Sequence, residues 1–213
     1  MRVRDFMKTD VISAGPGTLL MDALNTMKQK KIKRLPVLKN GRLIGLVTRS
    51  MIRDASPSQA TSLSVYELNY LISKMTVADV MVKEPMTISP DMPVEEAIWL
   101  GQAHGIGAFP IVENNALIGI ITESDISGVV SSALGLNEKN SQRITIHARG
   151  KRFGFLKELV EVMDAHKIPI MSIMSVPKTS EGDWYLILRV RTGDVDTAAG
   201  DLKEKGFDVL DVT

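Results

Sequence analysis

The chain contains no cysteine. Disulfides, zinc–thiolate sites and a thiol nucleophile are therefore excluded, and a reducing compartment is the natural setting. Histidines number only three, His104, His147 and His166, and none has the spacing of a metal-ligand set or of a nucleophile's base. An excess of charge is also missing. The net charge is +1, which offers no basic surface for a nucleic acid or a membrane. No uninterrupted apolar run approaches the roughly 18 residues a membrane helix needs. The opening Met1-Arg2-Val3-Arg4-Asp5 has no apolar segment behind it, unlike a secretory signal. A glycine-rich phosphate loop is absent as well. These absences point to a cytoplasmic protein that is not an enzyme and requires no cofactor.

What the sequence does have is a duplication. Leu43-Ile44-Gly45-Leu46-Val47-Thr48-Arg49-Ser50-Met51-Ile52 returns as Leu117-Ile118-Gly119-Ile120-Ile121-Thr122-Glu123-Ser124-Asp125-Ile126, an offset of 117 − 43 = 74 residues. From Leu35–Ile52 to Phe109–Ile126 there is no gap, and eight of the 18 positions are identical. Internal repeats govern the fold assignment. Each copy has an apolar, β-branched strand suited to a covered sheet, followed by hydroxyls that cap a helix. In the second copy Thr122, Ser124 and Asp125 cap a helix expected to begin near Ile126. The copies differ most tellingly where Asp125 is replaced by Met51.

Upstream elements repeat too. Val3-Arg4-Asp5-Phe6-Met7 is answered by Val77-Ala78-Asp79-Val80-Met81, and Val11-Ile12-Ser13, read as a short strand, by Thr87-Ile88-Ser89. Thr18 reads as the cap of a helix carrying Leu20, Ala23, Leu24 and Met27 on one face, matched by Val94, Ala97, Ile98 and Gly101. Asn40-Gly41 and Asn114-Asn115 suit left-handed hairpin turns. The copies span 1–55 and 77–134, with a linker at 56–76 whose end, 65–74, reads as a helix. Over 142–213 the pattern becomes strand, helix, strand, strand, helix, strand, the ferredoxin-like βαββαβ order. Pro169 places the second of those strands at a sheet edge.

The Val-x-Asp-x-Met openings, Leu35-Pro36-Val37 with Phe109-Pro110-Ile111, both Leu-Ile-Gly strands and Thr122-x-x-Asp125 resemble cystathionine-β-synthase-type (CBS) repeats. The tail is similar to an ACT domain, although of the acidic-x-Pro-Gly turn only a glycine survives in Gly150-Lys151-Arg152-Phe153-Gly154. The order CBS, CBS, ACT resembles the acetoin-utilisation (AcuB-like) regulatory proteins. The implied fold class is α/β (α+β): a pair of β-α-β-β-α repeats plus a ferredoxin-like ACT domain.

The resemblance also implies a ligand. CBS pairs bind adenosine-containing molecules such as AMP, ADP or ATP in clefts between the repeats. By that carry-over Asp125, Thr122, Ser124 and Ile120 face Val11, Ile12, Ile32 and Lys33, with Arg34 placed for a phosphate. A carboxylate can accept both hydrogens of a ribose diol, and a guanidinium suits a phosphate. Two plainer readings stay open: Asp125 as a helix cap, and Lys30, Lys31, Lys33 and Arg34 as a solvated charge run. The twin cleft would use Thr48, Thr87, Ile88, Ile106 and Gly107, weakened by Met51. In the tail, Lys151, Arg152 and Gly154 would hold an amino-acid effector, or the unit would serve dimerisation. The expected partners are a nucleotide, a second copy of the chain and an unidentified target protein. The alternative is an assembly protein with no nucleotide.

Overall fold

A computed structural model describes residues 1–55, 70, 73–149, 154–177 and 183–213. These form two compact units, Met1–Ile126 and Ser127–Thr213. The mixed α+β class read from the sequence is the one found.

In the first unit each copy builds an antiparallel hairpin. In copy one it is β1 (Arg34–Lys39) and β2 (Arg42–Thr48); in copy two it is β4 (Ala108–Glu113) and β5 (Ala116–Thr122). Both turns are left-handed as expected, with φ of 52° and 76° at Asn40 and Gly41 and 50° and 66° at Asn114 and Asn115. The helices are α1 (Leu20–Gln29) and α2 (Arg49–Asp54) in copy one, with α3 (Val77–Val80), α4 (Val94–His104) and α5 (Glu123–Ala133) in copy two. Leu20, Ala23 and Met27 of α1 are buried with Leu35, Val37 and Val47, as the helical spacing requires.

The two copies exchange their opening segments. Val3 N–H donates to Met92 O, Arg4 N–H to Pro90 O, and Val94 N–H to Met1 O. Shifted by 74 residues, the same bonds recur: Val77 to Thr18 O, Ala78 to Pro16 O, and Leu20 to Met75 O. The opening of copy one then lies along β5, where Lys8 and Ile120 exchange both backbone hydrogen bonds (2.9 and 3.0 Å). The opening of copy two supplies β3 (Val82–Lys83) to β2, pairing Val82 with Leu46. Val3 and Val77 are fully buried by this exchange.

The repeated glycine of the Leu-Ile-Gly strands follows from it. A Cβ on Gly119 would stand 2.7 Å from Met7 Sδ and 3.2 Å from Lys8 O. A Cβ on Gly45 would collide with Met81 Sδ. Each glycine leaves room for the methionine that ends the other copy's opening.

Three local expectations are corrected. Val11-Ile12-Ser13 and Thr87-Ile88-Ser89 are not strands: only Ala14 and Ile88 bridge, in parallel, to Val37 and Ile111. Ala14 N–H reaches Pro36 O and Ile88 N–H reaches Pro110 O. Each proline's carbonyl therefore faces the outer edge, as does its hydrogen-free nitrogen, and no hairpin bond is lost. Thr18 does not cap α1. Its hydroxyl closes a turn by accepting from Gly15 N–H at 3.1 Å, and Leu19 stands at the cap with no side-chain bond. Finally α5 begins at Glu123, not near Ile126, because Thr122 is its cap. Of the expected helix over 65–74, only residues 70, 73 and 74 lie within the described residues.

In the second unit β6 (Ser141–Arg149), α6 (Phe155–Ala165), β7 (Ile170–Pro177), β8 (Asp183–Arg191), α7 (Val195–Glu204) and β9 (Asp208–Val212) follow the βαββαβ order. The sheet order is β7-β8-β6-β9, antiparallel throughout, the ferredoxin-like arrangement. Strand β7 is at an edge, with Pro169 just before it, as expected. Ile144, Ile146, Leu186, Leu188 and Val190 of the sheet pack with Leu159, Met163, Ala198 and Leu202 of the helices.

Gly119→Ala should destabilise the protein by about 1–3 kcal/mol, since filling a packed site forces the backbone apart. Gly200→Ala, in α7 with nothing within 4 Å of the added carbon, should instead stabilise it by about 0.5–1 kcal/mol. Urea unfolding of both variants checks the opposite signs.

Candidate functional site: a cationic cleft between the copies

The exchange creates a cleft. The loop before β1 brings Lys31, Ile32 and Lys33, and β1 itself Arg34 and Pro36; the opening of copy one and the segment after it bring Lys8, Asp10, Val11 and Ile12. The β5–α5 corner of the other copy brings Ile120, Thr122 and Ser124. Together they enclose about 200 Å³. Eight of the nine residues expected here from the sequence line that one space: Val11, Ile12, Ile32, Lys33, Arg34, Ile120, Thr122 and Ser124.

Asp125, the ninth, is not among the lining residues, and both of its carboxylate oxygens have partners. Its Oδ2 accepts from Thr122 N–H at 2.9 Å and from the Thr122 hydroxyl at 2.6 Å. Its own N–H reaches Thr122 Oγ1 at 3.4 Å, so the pair forms a reciprocal cap on α5. Oδ1 meets Lys8 Nζ at 2.7 Å; the Asp125 side chain is 14% exposed and that of Lys8 63%. The capping role weighed in the sequence is therefore present. Burial pushes the Asp125 carboxyl pKa up, but the Lys8 hydrogen bond, the two Thr122 hydrogen bonds and the Lys8 charge together hold it below the usual carboxylate range.

Lys8 was not legible as a site residue, because it reaches the cleft only through the exchanged opening. The offset offers a signal in retrospect: Lys8 falls opposite Val82, Lys31 opposite Gly105, Lys33 opposite Gly107 and Arg34 opposite Ala108. Each cation lining the cleft is uncharged in the twin position. Arg34 accounts for part of that contrast, since a Cβ on Gly107 would collide with its guanidinium.

Of the other twin-cleft residues, Thr48 has a local task. The Thr48 hydroxyl caps α2 by accepting from Met51 N–H at 3.2 Å and lies 2.9 Å from Ser50 Oγ. Ile88 is buried, Ile106 half-buried and Thr87 exposed. In the tail, Gly154 takes a left-handed φ of 83° at the start of α6, while Lys151 and Arg152 lie outside the described residues. His104 is the last residue of α4, and His166 is the C-cap of α6. His147 is not a surface residue: its side chain is 9% exposed, with Nε2 3.1 Å from Asp183 and Nδ1 3.3 Å from Asp208. No helix among the described residues is long and apolar enough to cross a membrane.

The CBS domain model matches residues 3–58 and 77–132. The chain belongs to the CBS-domain family. It is 30% identical over 125 residues to the CBS domain-containing protein YhcV of Bacillus subtilis, covering 59% of this chain and 82% of that protein. A candidate acetoin utilization protein (AcuB) from Vibrio cholerae is structurally similar, with TM-score 0.54 and 26% identity, over 65% of this chain and 96% of that one. So is CBSX2 of Arabidopsis thaliana in complex with AMP, with TM-score 0.52 and 27% identity, over 62% and 96%. Further curated relatives include inosine-5′-monophosphate dehydrogenases, and the chain spans only 21% to 45% of the length of these.

A carboxyl whose folded pKa is depressed contributes stability that is present above its unfolded value of 3.8. That contribution is lost as pH falls through the lower folded value. Asp125→Asn should therefore flatten the acid limb of the stability profile below about pH 4. Melting temperatures from pH 7 to pH 2.5 test this: wild type and variant should converge as the pH drops.

Proposed function

We propose that this CBS-domain protein is a non-catalytic cytoplasmic regulator that binds an adenosine nucleotide in the cleft between its two copies. The observation that carries the reading is the convergence of the residues expected to hold one, from both copies, on a single cationic cleft. Ile12, Ile32 and Ile120 offer apolar contact for a purine. Thr122 and Ser124 offer hydroxyls to the sugar, and Asp125 can take a ribose hydroxyl on Oδ1 while Oδ2 keeps the cap. Arg34 and Lys33 offer charge to a phosphate. A volume near 200 Å³ is small for a whole ligand, which suits a nucleotide only partly enclosed, with its phosphates against the cations of the lining. Support also comes from CBSX2, which is solved with AMP.

On this reading ligand binding biases the packing between copies and passes to the ACT-like tail, which pairs with a second copy or senses another metabolite. A target protein completes the circuit. The homodimer draws support from Trp99, 64% exposed on α4, and from exposed Met21 on α1.

Titration calorimetry separates the clefts. Asp125→Ala should weaken AMP or ADP binding roughly ten- to a hundredfold, the loss expected for a charged hydrogen bond, while Thr48→Ala should change it little. No uptake of any adenine nucleotide by the folded protein would favour the assembly alternative. Light scattering at micromolar concentration should return a dimer mass, and a monomer there would remove the dimer from the reading.

A further inference from the structure

We propose that Lys8 is the specificity-determining residue of the cleft: it holds Asp125 in the empty site, is displaced when a ribose diol takes that carboxylate, and then turns its ammonium to the ligand's phosphates. This rests on the nucleotide reading above and names the ligand class, an adenosine di- or triphosphate over the neutral nucleoside.

The geometry separates a fixed part of Lys8 from a movable one. Its backbone is clamped to Ile120 by two hydrogen bonds, 2.9 and 3.0 Å. Its side chain is 63% exposed and lines the cleft, and among the described residues the 2.7 Å bond to Asp125 is what holds its end. That bond uses the one Asp125 oxygen that the cap leaves available. A diol that places both of its hydrogens on Oδ1 needs both acceptor directions of that oxygen, because Oδ2 is kept by the cap, and so displaces Lys8. The displaced ammonium stays in a cleft whose lining carries Lys31, Lys33 and Arg34 against Asp10 alone. A neutral nucleoside would leave that ammonium among three other cations with Asp10 as the one acidic residue of the lining, whereas a polyphosphate supplies further anionic oxygens.

The duplication gives an independent observation. Lys8 and Asp125 occur together in one cleft, and their counterparts Val82 and Met51 are both uncharged. The pair is kept or lost as a unit across the two halves. A lysine serving only to anchor the opening segment would be equally useful in both, because the backbone clamp is the same in both.

The test is titration calorimetry with adenosine and with ADP, in magnesium-free buffer, on the full chain and on Lys8→Met and Lys8→Arg, each checked by thermal unfolding. The unsubstituted protein should bind ADP at least tenfold more tightly than adenosine. Lys8→Met should lose about tenfold for ADP while adenosine stays level or tightens, since no ion pair then opposes it. Lys8→Arg should keep the preference. Equal losses for both ligands in Lys8→Met would mean a merely structural tie and overturn the proposal, as would unchanged ADP binding. Equal affinities in the unsubstituted protein would overturn it even if Lys8→Met failed to fold, and would leave the nucleotide reading standing. Binding of neither ligand by the unsubstituted protein would defeat that reading and this proposal with it.

Discussion

The first unit depends on one constraint: each copy finishes the other's sheet. Backbone hydrogen bonds are obligatory once buried, and each copy's second strand has an edge that its own hairpin leaves open. The opening of copy one closes β5, and the opening of copy two closes β2. The glycines at 45 and 119, the methionines at 81 and 7 and the buried valines at 3 and 77 all serve that closure. The cleft follows from it as well, because the segment after the first opening is drawn across to the β5–α5 corner.

Duplication alone would make two equivalent clefts. The copies share the fold of their hairpins, turns and clamps, yet every cation that lines the cleft is uncharged at the twin position. Arg34 marks the division: it lines one cleft and covers Gly107 at the place of the other.

Much of this was legible in the sequence because it is local. The apolar strands, the Asn40-Gly41 turn and the Thr122–Asp125 cap are short-range patterns, and the 74-residue offset is read by aligning the chain with itself; the eight expected residues that line the cleft came from the family resemblance. The family resemblance supplied the pairing of copies. What escaped was non-local. Lys8 is an ordinary surface lysine until the exchange sets it beside Asp125, and His147 is an ordinary strand residue until the register brings Asp183 and Asp208 to it. The short runs at Val11 and Thr87 looked like strands by composition, yet each has only one bridging residue. Thr18 has the chemistry of a cap, but its hydroxyl goes to Gly15 instead.

The reciprocal openings also bear on how the unit assembles. In neither half does the half's own opening pair the open edge of its second strand, so folding of the pair is a dimerisation within one chain. The connecting residues then act as a tether that sets the effective concentration of one half around the other. Their length and stiffness tune how readily the halves find each other, while the bonds that hold them are in the openings. A chain severed between the copies would trade that tether for ordinary mass action, and its two fragments would become a heterodimer whose stability rises with concentration.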